Sequence, residues 1–168
     1  MESSTRGPAI AERAQAERLG ARLARTRAAL RAVAADISEE ELVWRPDEGI
    51  LSPANHLFHV ARFEEALVAR VLLGRTVRRR KASEFEDQTR RETAWYLERL
   101  AGARALTQGW LDRVTDEDLH RHRTPCGPWG ETAADLLDFL SHHDIHHRAA
   151  IITLRKLIDP GRVFHDLE

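Results

Sequence analysis

Four histidines stand within six residues near the end of the chain, His142, His143, His146 and His147. The surrounding sequence has helical periodicity, and residues four apart lie on one face of a helix. His143 and His147 therefore share a face with the leucines and isoleucine that should point to a core. Two neutral imidazoles one turn apart can bind a single divalent metal ion. Taken alone, the segment also fits a histidine-rich helix end, or one core histidine bonded to a carbonyl.

A further histidine of the same kind lies earlier in the chain. His59 is near the middle of the apolar side of a second predicted helix, one turn before Phe63. Three histidines in a core are costly unless their imidazoles have partners, and one metal ion would serve all three. Three protein ligands leave coordination positions open, which is typical of a catalytic site. His56, one turn earlier, could be a fourth ligand or a partner of a ligand.

Carboxylates close to these histidines could assist such a site. Metal-bound imidazoles usually donate their second N–H to a carboxylate or a carbonyl. Glu64 and Glu65 follow His59 closely, and Asp144 follows His143 directly, so each could orient a ligand or accept a proton. Imidazole ligands suit zinc, nickel, iron or copper, with zinc as the default expectation.

Length, charge and composition limit the class of protein. A chain of 168 residues suits one compact domain, predicted at residues 8–168 after a polar tail at 1–7. The net charge of −1 gives no indication of nucleic-acid or membrane-surface binding. No apolar run approaches the roughly 20 residues that span a bilayer, and no leader segment is evident. The single cysteine, Cys126, rules out an internal disulfide framework, so we expect a soluble cytoplasmic protein.

Helical signals dominate the chain. Apolar spacing and breaker residues predict four long helices at about 8–35, 53–73, 83–110 and 132–159, and short helical turns after Ser38 and Thr115. No segment alternates apolar and polar residues as a strand would. The predicted fold is an all-α, antiparallel four-helix bundle. Its expected core includes these seven residues: Val60, Phe63, Leu67, Leu136, Leu140, Ile151 and Leu154.

Three motifs together resemble the DinB-like superfamily, also called the YfiT-like metal-dependent hydrolases. Trp-Arg-Pro-Asp-Glu-Gly at 44–49 is similar to the family's loop between the first two helices. Ser52 and His59 have its serine-to-histidine spacing, and His-Asp-Ile-His-His-Arg at 143–148 is similar to its terminal element. The likeness extends over residues 8–158 in element order. It departs from the family at Ala149-Ala150, where relatives often have Gly-Gln, and this change could alter packing on a partner subunit.

The resemblance implies a four-helix bundle whose metal ligands are His59, His143 and His147. Better understood relatives use the metal to activate the thiol of a small cofactor such as mycothiol or bacillithiol, for sulfur transfer or isomerisation. The resemblance thus implies a small-molecule substrate and, since such bundles commonly pair through helical faces, a homodimer. The pocket would open between the second and last helices.

Two hypotheses about function follow from these observations. The first is a metal-dependent enzyme, a thiol S-transferase or a hydrolase. The second is a non-catalytic protein that carries a metal or a ligand in a stress response or in regulation. Nucleic-acid binding through the basic run at 78–81 is disfavoured by the neutral overall charge, and that run is more typical of a solvated linker. Cys126 could approach the metal, but no helix start around it would lower its pKa.

Overall fold

The computed structural model describes residues 13–77, 92–121 and 130–164. The helices, in chain order, are α1 (Ala14–Ala34), α2 (Glu39–Val43), α3 (Pro53–Leu67), α4 (Thr93–Leu111), α5 (Asp116–His120) and α6 (Ala133–Ile158). None of the described residues forms a strand. The predicted all-α fold of four long helices, with two short ones between them, is confirmed. In these described segments, no helix combines the length and the apolar character needed to cross a bilayer.

Helix starts follow the local capping chemistry. Four helices begin with a capping box, in which a hydroxyl side chain and the residue three positions later each bond to the other's backbone N–H. The pairs are Ser38 with Glu41, Ser52 with Asn55, Thr115 with Asp118, and Thr132 with Asp135. The predicted starts of α2, α3, α5 and α6 are therefore confirmed, because these signals need only a few neighbouring residues.

Two helix boundaries differ from the prediction. Glu92 is extended and α4 begins at Thr93, so the helix is shorter than the predicted 83–110. The part of the predicted range before Glu92 lies outside the described residues. At the other boundary, α3 widens into a π-helical turn over Val68–Leu72, and Gly74 follows at a φ of 62°. Glycine occupies that left-handed conformation without steric cost.

The four long helices do not simply alternate in direction. α1 and α6 run the same way, because Arg27 contacts Asp144 and, further along both helices, Arg155 contacts the Val33 carbonyl. α3 and α4 also run the same way. The α1–α4 and α3–α6 pairs are antiparallel. Two helices therefore run in each direction, and each long helix packs on two others.

The core consists of two apolar clusters separated by a polar level. One cluster contains Leu23, Phe63 and Leu140, and the other contains Leu30, Val60 and Ile151. All seven residues predicted for the core are buried, as expected from their helical spacing. Between the two clusters, all four long helices place polar side chains inside the bundle, and the histidines lie at this level.

Candidate metal centre

The antiparallel packing of α3 on α6 brings three histidines together. The Nε2 atom of His143 lies 3.1 Å from Nε2 of His59 and 3.1 Å from Nε2 of His147. One nitrogen from each of the three side chains lies within 4.8 Å of the other two. The structure therefore brings together the three histidines that the sequence predicts to converge.

Aromatic side chains hold the ring of His143. The Phe63 ring stacks on it with centroids 4.6 Å apart and an interplanar angle of 28°. The centroid of the Phe139 ring lies 5.7 Å from that of the His143 ring and 5.8 Å from that of the Phe63 ring. Because Phe63 and Phe139 come from different helices, the histidine is confined from both α3 and α6. A ring confined in this way loses little further freedom when it binds a ligand.

Burial keeps the His143 and His147 imidazoles neutral. By whole-residue exposure, His59 and His147 are buried and His143 is half-buried. Burial, reinforced by the neighbouring imidazoles, lowers the pKa of His143 to about 3 and the pKa of His147 to about 2. At neutral pH both rings therefore carry a free lone pair, which is the form that binds metal.

His56 lies behind the cluster and does not join it. Its Nδ1 atom is 2.8 Å from Nδ1 of His147. The other ring nitrogen of His147, Nε2, is the one that faces His143. Burial lowers the pKa of His56 to about 4, so this imidazole is also neutral at neutral pH. The sequence left open whether His56 is a fourth ligand or a hydrogen-bond partner of a ligand. This geometry matches the hydrogen-bond partner.

The donor set fits a divalent metal ion. Zinc–imidazole bonds of about 2.0–2.1 Å in a tetrahedral arrangement place nitrogens roughly 3.3 Å apart. The two separations of 3.1 Å in the cluster are close to that value. A neutral Nε2 atom has either one proton or one lone pair, so His143 cannot bond fully to both of its neighbours. One cation at the centre would use all three lone pairs together.

A second buried polar cluster lies beside the histidines and links all four long helices. We call it the ion cluster; it contains Arg27, Glu64, Arg104, Thr107 and Asp144. Arg27 donates Nε–H and Nη2–H to the two Asp144 oxygens at 3.1 and 2.9 Å. Its Nη1 donates to the Leu100 carbonyl at 2.7 Å. This forked geometry gives both charge pairing and orientation.

Two arginines and two carboxylates make the ion cluster formally neutral. Arg104 donates to Asp144 at 2.9 Å, and its Nε lies 3.0 Å from Glu64 Oε1, the oxygen that also accepts from the Thr107 hydroxyl. Burial by itself would lower the pKa of the Arg27 guanidinium, but the Glu64 and Asp144 carboxylates raise it overall. These partners lower the cost of burying four charges in an apolar bundle.

The acidic residues predicted to assist a metal have other partners in the structure. Glu64 and Asp144 belong to the ion cluster, and Glu65 pairs with Arg62 and Arg99 nearer the surface. The roles of Glu64, Glu65 and Asp144 as proton acceptors or as partners of metal ligands stay predictions.

The two arginines of the ion cluster are not among the residues predicted from the sequence. Arg27 lies between Leu23 and Leu30 in the apolar stripe of α1, and Arg104 follows Leu100 by four residues in α4. A charge at a core position of a helical stripe is the signal that could have identified them, because an unpaired buried charge is not tolerated.

The ring of His146 meets that of the ligand candidate His147 edge-on from the solvent side, with centroids 5.0 Å apart. His142 and His146 are exposed, as their helical phase predicts, and His142 contacts Asp138 and Arg22 on the surface. The basic run at 78–81 and Cys126 lie outside the described residues.

Comparisons with known proteins agree with this fold. A sequence model described as the DinB superfamily matches residues 22–151. The crystal structure of a conserved protein from Enterococcus faecalis superposes with a TM-score of 0.69 at 16% identity, covering 84% of this chain and 95% of the other. At that identity the likeness shows the fold alone. No curated protein matches the sequence.

Proposed function

The chain belongs to the DinB superfamily, and from this membership and the three-histidine cluster we propose that it is a metal-dependent enzyme. His59, His143 and His147 bind one divalent metal ion, with zinc as the expected metal. The enzyme acts on a small molecule, as a thiol S-transferase or as a hydrolase.

One observation supports this proposal more than any other. The Nε2 atom of His143 faces two other imidazole nitrogens at 3.1 Å, with no carboxylate in the group within the described part of the chain. Neutral nitrogens that converge in this way can direct their three lone pairs at one cation. A purely structural role would leave them only the hydrogen bonds that they share with one another.

The side chains around the proposed site position the metal ligands and set the direction from which substrate can approach. Phe63 and Phe139 hold His143, and the buried His59 and His147 set the depth of the site. A bound divalent ion would lower the pKa of a thiol or a water molecule and so provide an anionic nucleophile near neutral pH. His143 is the most exposed of the three, so we expect substrate to approach from its side, between α3 and α6.

The first test is metal content. Protein purified without added chelator and analysed by elemental mass spectrometry should contain one equivalent of a divalent metal. His59→Ala and His147→Ala should each abolish stoichiometric metal, because two imidazoles bind far less tightly than three. His142→Ala is the matched control on the same helix, since His142 is exposed and points away from the cluster. Metal content unchanged in the His147 variant would refute the site.

The second test is turnover. Metal-loaded protein is assayed with small thiols, including mycothiol and bacillithiol, against model electrophiles and hydrolysable esters. The proposal expects turnover that disappears after chelation, returns with metal, and is absent in His59→Ala. Turnover that survives the His59 substitution would show that the metal is not the catalyst. Metal binding without turnover, in a shell that exchanges no ligand, would favour the non-catalytic metal-binding protein.

The assembly is a separate part of the proposal. We expect a homodimer formed through helical faces, which sedimentation equilibrium of the full chain would test. A monomeric protein in solution would refute the proposed dimer. It would leave the proposed metal site unaffected, because all three proposed ligands come from one chain.

A further inference from the structure

Both ring nitrogens of His147 have a close nitrogen neighbour. Its Nε2 atom lies 3.1 Å from His143 Nε2, within the proposed ligand group. Its Nδ1 atom lies 2.8 Å from Nδ1 of His56, a normal hydrogen-bond distance. The two rings are buried, with centroids 5.0 Å apart and planes inclined by 55°.

The chemistry of neutral imidazole determines how this hydrogen bond must be oriented. A neutral ring has one N–H and one lone pair, on different nitrogens. If Nε2 of His147 binds a metal through its lone pair, the ring proton is on Nδ1. His147 is then the donor and Nδ1 of His56 the acceptor, so the proton of His56 is on its Nε2. The reverse orientation would put a proton on Nε2 of His147 and block the metal.

We propose that His56 is a positioning residue that accepts the Nδ1–H of His147 and so holds His147 in the tautomer and orientation that bind metal. This inference rests on the proposed metal site and adds a residue to it. His56 would not touch the metal or the substrate. It would act through His147, as the hydrogen-bond partners of metal-bound imidazoles generally do.

The backbone around His56 is well defined by the start of α3. The His56 N–H donates to the Ser52 carbonyl at 3.1 Å, in the first turn of the helix. The Ser52 and Asn55 capping box closes that turn. His56 and His59 are three residues apart on this helix, so one short segment supplies both a proposed ligand and the partner of another.

Two nearly isosteric substitutions separate hydrogen bonding from packing. His56→Asn keeps an oxygen acceptor near the position of Nδ1, whereas His56→Leu has a similar size and no acceptor. We expect zinc affinity, measured by competition with a chromogenic chelator, to fall by about 10–100-fold in His56→Leu. His56→Asn should recover most of that loss. His142→Leu, on the exposed side of α6, should bind zinc as the unmodified protein does.

Long-range ¹H–¹⁵N NMR of the zinc-loaded, unmodified protein tests the tautomer without any substitution. We expect the His147 proton on Nδ1 and the His56 proton on Nε2. A His147 proton found on Nε2, or equal zinc affinity in the Leu and Asn variants, would overturn the role of His56. If His59→Ala still abolishes zinc binding in that case, the proposed metal site survives. Failure of the unmodified protein to bind any metal would instead overturn both proposals.

Discussion

Two polar clusters interrupt the apolar core of this bundle side by side, and their members satisfy one another to different degrees. In the ion cluster, two guanidinium groups face two carboxylates, and donors meet acceptors at hydrogen-bond distance. In the histidine cluster, three imidazole nitrogens face one another, and Nε2 of His143 cannot bond fully to both neighbours. The charges of the first cluster balance within the protein, although Nε and Nη1 of Arg104 donate no hydrogen bond to any described residue, and the second cluster consists of imidazoles alone.

This difference is the one expected between a structural cluster and the proposed metal site. Buried polar groups are normally paired, so a paired network needs no ligand to explain it. A buried group whose lone pairs converge indicates a partner from outside the chain. The two clusters are also linked through their helices, since Asp144 directly follows His143 on α6 and Glu64 lies on α3 with His59. The two arginines of the ion cluster each contact both carboxylates, so the ion cluster joins the two helices that bear the histidines.

The largest expected effect comes from breaking the ion cluster. Asp144→Ala removes a carboxylate that contacts both Arg27 and Arg104, and leaves buried positive charge without its partner. We expect the free energy of unfolding to fall by about 3–5 kcal/mol, measured by urea denaturation. A loss below about 1 kcal/mol would mean that solvent reaches the arginines and that the cluster is not part of the core.

Removing the complete ion cluster should have a different result. Replacing both arginines and both carboxylates with apolar residues of similar volume removes charge without stranding any, and such exchanges are often neutral or stabilising. We expect this variant to fold, as circular dichroism and thermal melting would show. A large loss of stability would show that the cluster contributes more than its mutual charge pairing.

A smaller effect is expected when zinc is added to test the proposed metal site. Zinc at about 100-fold above its Kd should stabilise the folded protein by about 2.7 kcal/mol, because only the folded state brings the three ligands together. The stabilisation, measured by chemical denaturation with and without zinc, should disappear in His59→Ala. An equal effect of zinc in both proteins would place its binding elsewhere.

Acid should destabilise the metal-free protein through the histidines. The pKa of histidine is about 6.5 in an unfolded chain, and burial lowers the pKa of His147 to about 2 in the folded protein. Between these values the unfolded state binds more protons, so stability is complete above about pH 6.5 and declines as the pH falls below it. The decline is at most about 1.4 kcal/mol per pH unit for each histidine.

This pH dependence of stability is measured by urea denaturation of chelator-treated protein at several pH values between about 7 and 5. The slope of stability against pH should be shallower in His147→Ala than in the unmodified protein. Identical slopes would mean that His147 titrates normally in the folded state and is open to solvent.

The smallest effect is expected at the surface, where ion pairs are screened by water. Asp138 pairs with Arg22 and His142 on the exposed side of α6. Asp138→Asn should change the free energy of unfolding by no more than about 1 kcal/mol. A loss of unfolding free energy as large as that expected for Asp144→Ala would show that the exposed Asp138 pairs stabilise the fold as much as the buried ion cluster does.

Sequence alone determined the features of this protein that depend on a single helix. Ser52 and Thr132 start α3 and α6 through contacts within three residues. Helical phase alone placed His143 and His147 on one face and His59 on the apolar side of its own helix. The cost of burying three imidazoles without partners predicted that they share one metal ion, and the likeness to the DinB-like superfamily implied the same three ligands.

Only the tertiary structure decided which residues from different helices meet. Periodicity gives the phase of a residue around its own helix axis, but it does not give the axial register or the direction of a neighbouring helix. Arg27 therefore could not be matched with Asp144 from the sequence, nor could the parallel course of α1 and α6 be read from it. For the same reason the sequence could not decide whether His56 is a ligand or the partner of a ligand. Packing of α3 on α6 decides it by placing Nδ1 of His56 against Nδ1 of His147.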